Sequence, residues 1–136
     1  MNYWLLKTEP SVYSFGDLMN DGKTCWDGVT SNAGLKNIRS IRKGDLAFIY
    51  HTGKEKCITG ISEIISNPYK DPKTDDEKLM VFDIIPLKRL MKEITLAEIK
   101  SDKIFKDFAL VREGRLSIVP VSMELWNYIL KLSGTK

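Results

Sequence analysis

Between Trp26 and His51 the chain sets an indole beside a carboxylate (Trp26-Asp27), two loop hydroxyls (Thr30, Ser31), a basic segment (Lys36, Arg39, Arg42, Lys43) and a strand-like run ending in Tyr50-His51. These residue types suit recognition of a flat ligand with a polar edge. An aromatic face stacks on a nucleobase for about 1–3 kcal/mol per base, and a few fixed hydroxyls, amides or an imidazole read its edge. Trp26, Tyr50 and Tyr69 are the candidate faces, with Thr30, Ser31 and His51 as candidate edge readers. The plainer meaning of Trp26 is a plug at the rim of a barrel. Lys36, Arg39 and Arg42, joined by Arg112 and Arg115 farther along, are candidate phosphate contacts, against the plainer meaning of a solvated helix face.

Catalysis finds less support. His51 is the only histidine, and an imidazole can act as a base at neutral pH. Nothing completes a hydrolytic set around it: there is no GxSxG elbow and no recognisable cysteine-protease context. A hydrogen-bonding or structural histidine is the simpler reading. No glycine cluster has the spacing of a phosphate loop or dinucleotide fingerprint. Asp75-Asp76 sits in a polar stretch where solvated acids are the default. Cys25 and Cys57 lack CxxC spacing and read as thiols of a reducing compartment. The expectation is a protein without catalysis, metal or cofactor.

With 136 residues the chain suits one domain over residues 1–136, large enough to bury a core unaided. Its 43% hydrophobic and 29% charged residues argue against a long disordered region. A net charge of +3 permits a nucleic-acid partner without requiring one. The opening run Asn2 to Lys7 has no signal-peptide pattern, and no apolar run approaches the roughly 20 residues of a membrane span. A cytoplasmic location and no membrane partner are expected.

The elements that must hold these residues can be read in order. Tyr3 to Thr8 predicts a strand stopped by Glu9-Pro10. Ser14 and Asp17 form a capping-box pattern for a short helix closed by Asp21-Gly22, and Thr24 to Trp26 predicts a brief strand turned by Asp27-Gly28. Leu35, Ile38 and Ile41 recur at helical spacing over Gly34 to Ile41. In Asp45 to Thr52, Leu46, Phe48 and Tyr50 alternate with Ala47, Ile49 and His51; both faces are largely apolar, which predicts a central strand. Cys57 to Ile65 should pair with it as a hairpin, with Gly60 marking a bulge or a close approach.

Ser66 to Lys78 reads as an exposed loop of functional length, and Leu79 to Leu90 as a long strand that Pro86 makes an edge or a bend. Thr95-Leu96-Ala97-Glu98 is a second capping box, Ile104 to Phe108 a further turn or helix, and Arg112 to Arg115 a turn. Leu116 to Val121 predicts the last strand. Ser122 then caps a final helix with the apolar stripe Leu125, Trp126, Ile129, Leu130. Five or six strands with short helices make an α+β fold built on a curled sheet or small barrel.

Taken together, the motifs resemble the EVE domain. Tyr3-Trp4-Leu5-Leu6-Lys7-Thr8-Glu9-Pro10 is similar to that family's opening YWLLKSEP, and Tyr13-Ser14-Phe15 with Asp17-Leu18 to its YSFDDL. Trp26-Asp27-Gly28-Val29, Gly44-Asp45, Tyr50-His51-Thr52, Gly60-Ile61, Ala109 to Arg112 and Gly114 to Ser117 follow in order. The resemblance implies a PUA-like barrel whose pocket recognises modified bases in DNA or RNA without catalysis. The more distantly similar YTH domains hold a methylated adenine in an aromatic cage. By that likeness Trp26 stacks on the base, Lys7, Thr8 and Asp27 shape the polar rim, and Tyr69 adds a wall. After Val29 the family's RN and ARN-type segments give way to Thr30-Ser31-Asn32 and Leu35-Lys36-Asn37, removing forked arginine donors that Lys36 cannot replace.

The leading expectation is therefore a reader of a methylated or hydroxymethylated base, its pocket lined by Trp26, Tyr50 and His51. Two alternatives stay open: an enzyme acting on a small nucleobase-like ligand through His51, and an accessory module that binds RNA or a protein by its basic face.

Overall fold

A computed structural model describes residues 1–136. Seven strands are present: β1 Tyr3–Thr8, β2 Thr24–Trp26, β3 Leu46–His51, β4 Cys57–Ile64, β5 Tyr69–Lys70, β6 Met80–Thr95 and β7 Ile118–Val121. Five helices join them: α1 Phe15–Asp21, α2 Asn32–Ser40, α3 Leu96–Ser101, α4 Ala109–Arg112 and α5 Met123–Ser133, with a 3-10 turn at Lys103–Phe105. The sheet runs β2-β6-β4-β3-β1-β7, with β5 paired to β6 beside that path. Only β1 and β3 pair in parallel; every other ladder is antiparallel. The sheet is strongly curled, and the architecture is the expected α+β.

Local chemistry explains the element ends. Ser14 and Asp17, and Thr95 and Glu98, form reciprocal capping boxes that satisfy the free N–H groups opening α1 and α3. Gly22 ends α1 at φ 74°, a left-handed turn that costs a glycine nothing. The apolar stripe of α5 seals one face of the sheet: the Trp126 ring stacks on Phe48 and Tyr3 with centroids 3.8 and 4.7 Å away.

Alternation along β1 and β3 divides the core into two layers. Leu5, Phe48 and Tyr50 join Ile58, Ile94, Val119 and Trp126 on the α5 side. Trp4, Leu6, Ala47 and Ile49 face the other way, onto α1 and α2, with Phe15, Ile38 and Trp26. Asp45, just before β3, is 2% exposed. Its carboxylate accepts from the backbone N–H of Asn2 (2.9 Å) and of Arg42 (2.9 Å) and from Trp4 Nε1 (3.0 Å).

Three expectations need correction. The strand carrying Pro86 is no edge: β6 lies between β2 and β4 and runs on to Thr95. Proline is accommodated because the β4–β6 register shifts between Ile61 and Ser62, and Ser62 is the partner of Pro86. The long loop contains the two-residue strand β5, so there are seven strands, not five or six. The last strand begins at Ile118, since the Leu116 N–H turns back to the Glu113 carbonyl (2.9 Å).

Gly60 marks the expected bulge, and what comes close to it is a side chain instead of another backbone. The β4 register shifts beside it, and a Cβ there would stand 2.5 Å from the Phe15 ring, which occupies the space a side chain would take. Gly60→Ala is accordingly expected to lower stability by about 1–3 kcal/mol, while Gly114→Ala, which meets nothing within 4 Å, leaves it unchanged. Urea unfolding of the two variants checks the contrast.

Candidate functional site

The end of β1, the turn after it and β2 enclose a cavity of about 580 Å³, a size that suits a small organic ligand. Trp26, 7% exposed, lines this space and also packs in the core. Lys7 and Thr8 come from β1, Val12 and Tyr13 from the following turn, and Cys25 from β2. Asp27, Gly28 and Val29 continue the wall, and Gly28 makes the bend at φ 83°. Lys73 and Ser117 complete it from distant parts of the chain.

Hydrogen bonds fix this wall. Thr8 Oγ1 donates to the Tyr13 carbonyl (2.6 Å), and the Tyr13 hydroxyl donates to Asp21 (2.8 Å), so the turn is clamped at both ends. Lys7 donates from its backbone to Ser117 (3.0 Å) and from Nζ to the Gly114 carbonyl (2.8 Å). Burial lowers the pKa of its ammonium from the ordinary lysine value. Lys73 closes the rim by an ion pair with Asp27, and that partner raises the Lys73 pKa. Both partners are exposed, so the pair is a weak clasp that salt screens.

Of the residues expected from sequence, Lys7, Thr8, Trp26 and Asp27 are brought together. The others are not. Tyr50 follows the opposite face of β3 into the α5 layer, where it lines a separate cleft that shares only Lys7 with the cavity. His51 is 5% exposed and spends both ring nitrogens: Nε2 accepts the Phe15 N–H (3.0 Å) and Nδ1 faces Glu55 Oε1 (2.9 Å). A backbone N–H can only donate, so Nε2 is unprotonated and the proton sits on Nδ1. This histidine is a brace for α1. A pocket wall of Trp26, Tyr50 and His51 is thus corrected: strand alternation sends the two β3 side chains to opposite layers, and neither lines the cavity.

Ser31 caps α2 through the Gly34 N–H (3.1 Å), and neither it nor the exposed Thr30 lines the cavity. Tyr69 stands behind the wall, donating to Asp83 (2.7 Å) with its hydroxyl 3.5 Å from Cys25 Sγ. Lys36 and Arg39 are exposed on α2, whereas the Arg42 guanidinium donates to the Arg39 and Ile41 carbonyls (2.7 Å each) and so serves the helix end. Arg112 approaches Asp107 at 4.0 Å, and Arg115 is exposed next to Gly114, whose carbonyl holds Lys7. Cys25 and Lys73 are cavity residues that sequence reasoning passed over. Lys73 carries no local signal, since its partner Asp27 lies in another part of the chain.

One cluster has metal-ligand types: Glu55, Cys57 and Glu93 bring their ligand atoms within 4.8 Å of one another. Burial and the two carboxylates push the Cys57 thiol up to about 12, so it stays protonated at neutral pH, and Glu55 already faces His51. That chemistry suits a buried thiol better than a thiolate ligand.

Known proteins resemble this chain in sequence and in fold. The family model for the EVE domain matches residues 2–132. Human thymocyte nuclear protein 1 is 30% identical over 165 residues, covering 96% of this chain and 73% of the relative. A crystal structure of human THYN1 protein in complex with DNA containing 5-methylcytosine superposes with a TM-score of 0.90 at 28% identity, covering 100% of this chain and 99% of that one. An NMR structure of a Rhodopseudomonas palustris protein gives 0.93 at 38% identity, over 98% of this chain and 94% of that one. A YTH domain of Zygosaccharomyces rouxii, in complex with N6-methyladenosine RNA, gives 0.60 at 14% identity, with 97% and 86% coverage; it shares the PUA-like fold alone. No helix here is long and apolar enough to cross a membrane.

Two outcomes check the site. Because the Phe15 N–H would be left buried without an acceptor, His51→Ala is expected to cost about 1–3 kcal/mol in urea unfolding; unchanged stability would contradict the bracing role. Under native conditions iodoacetamide should label Cys25, which lines the cavity, well before the buried, protonated Cys57. Mass spectrometry of the alkylated peptides gives the order.

Proposed function

The chain belongs to the EVE domain family, and on that footing we propose that it binds nucleic acid without catalysis, taking a methylated or otherwise modified base of DNA or RNA into the cavity over Trp26. The observation that carries this reading is the cavity itself: Trp26, anchored in the core, lines a base-sized space together with Lys7, Thr8 and Asp27. A base that leaves its stack costs a few kcal/mol, and stacking on an aromatic face returns about 1–3 kcal/mol. Lysines near the mouth must offset the remainder through phosphate contacts. The complex of the human relative with 5-methylcytosine DNA supports a methylated base as the ligand.

An enzyme acting through His51 is the weaker reading, because both imidazole nitrogens are engaged away from the cavity.

The test is a titration with oligonucleotides differing at one base: cytosine against 5-methylcytosine and 5-hydroxymethylcytosine, and adenine against N6-methyladenine. One extra carbon fitted to an apolar wall is worth about ten-fold or more in affinity, and that is the expected preference for the best ligand. Trp26→Ala should abolish it; Trp26→Phe, which keeps a core aromatic, should keep the fold and part of the preference. Occupancy should also slow alkylation of Cys25. If no modified base binds more tightly than its parent, the reading is wrong, and strong salt dependence untouched by Trp26→Ala would identify a basic accessory surface instead.

A further inference from the structure

We propose that the lysine-lined cleft behind the base cavity holds a backbone phosphate of the strand whose base the cavity takes. The inference rests on the base-binding reading above and assigns a second contact to the same strand. The cleft has a volume of about 220 Å³, below the roughly 300 Å³ at which pockets begin to enclose whole organic ligands. Lys7 from β1, Lys56 from the turn entering β4 and Lys100 from α3 line it.

None of these three ammonium groups has an ion-pair partner. The Glu9 carboxylate, which lies against Gly53, accepts from Thr52 Oγ1 (3.2 Å) and Ser11 Oγ (3.0 Å). Cations gathered without a counter-charge repel one another, and an anion among them relieves that repulsion. Leu96 and Leu110 make part of the cleft apolar, which strengthens an ionic contact by thinning the water around it.

Two details tie the cleft to the cavity. Lys7 lines both, and its Nζ is fixed on the Gly114 carbonyl (2.8 Å) at 6.0 Å from the Tyr50 ring centre. A base on one side of Lys7 and a phosphate on the other therefore meet a single, positioned lysine. Lys56 stands at φ 45°, a left-handed conformation disfavoured for a side chain, and its carbonyl accepts the Leu96 N–H (2.8 Å), joining its turn to the start of α3. The three lysines thus come from elements bonded together around the cleft, in contrast to the free helix face of Lys36 and Arg39.

The experiment measures binding of a 5-methylcytosine oligonucleotide, single-stranded and duplex, across a salt series. The proteins compared are the wild type, Lys56→Gln, Lys100→Gln, the double variant and Lys131→Gln, a change of the same charge outside both spaces. Each cleft lysine should lower the slope of log affinity against log salt by about 0.7–0.9. Lys131→Gln should leave the slope unchanged, and the preference over unmethylated cytosine should persist in all variants. Scanning a neutral methylphosphonate along the phosphates beside the modified base should find one position that weakens the wild type but adds no loss in the double variant.

A full salt slope in the double variant, an equal effect of Lys131→Gln, or a methylphosphonate loss fully additive at every position would overturn the assignment. Selective competition by inorganic phosphate at constant ionic strength, stronger against the wild type than the double variant and without a matching methylphosphonate position, would make the cleft a free-phosphate site and overturn it too. A wild-type protein with no preference for any modified base sinks the base reading instead, an outcome read from a different column of the same data.

Discussion

A buried carboxylate that has no cation beside it must be satisfied by N–H groups, and Asp45 meets that demand with three. Two come from the start of β1 and one from the residue that follows the C-cap of α2. Placed just before β3, Asp45 therefore locks the beginning of β1 alongside Leu46 and sets the parallel register in which Tyr3 faces Leu46 and Thr8 faces His51. The opposite end of β1 carries Lys7 and Thr8. Their position at the cavity is decided by a carboxylate near the other end of the strand.

From that register the alternation does the rest. A strand shows its side chains to two sides in turn, so β3 cannot supply both Tyr50 and His51 to one pocket. The sequence carries this constraint in the alternation of Leu46, Phe48 and Tyr50 with Ala47, Ile49 and His51, which is incompatible with a single wall holding both Tyr50 and His51. His51 belongs to the layer that also contains Trp26, but its nitrogens are claimed by Phe15 and Glu55 before any ligand could reach them. An imidazole in that position organises α1, and the turn that leads into α1 supplies Val12 and Tyr13 to the cavity.

What was legible in the sequence was local. Ser14 with Asp17 and Thr95 with Glu98 announce their capping boxes within four residues, Gly60 announces a bulge, and the stripe of α5 announces a covered face. Lys7, Thr8, Trp26 and Asp27, named by the family motifs, line one space. What escaped was carried by pairs far apart in the chain: Lys73 with Asp27, Phe15 with His51, and Pro86 opposite the irregularity at Ser62. Pro86 is instructive, because its missing N–H argues for an edge only if the neighbouring ladder is regular, and the regularity belongs to β4.

The place of β1 between β3 and β7 has a consequence for how the chain reaches this state. Leu6 pairs with Ile49 on one side and Ile118 on the other, so β1 is enclosed only after β7, far along the chain, has been made. Until then β1 is an apolar strand with an open hydrogen-bonding edge, the kind of surface that invites pairing with other chains. Closure of such distant contacts is slow compared with hairpin formation. The β3–β4 hairpin is a local pairing, whereas the β1–β7 pairing joins distant parts of the chain and completes the wall of the cavity and the core together.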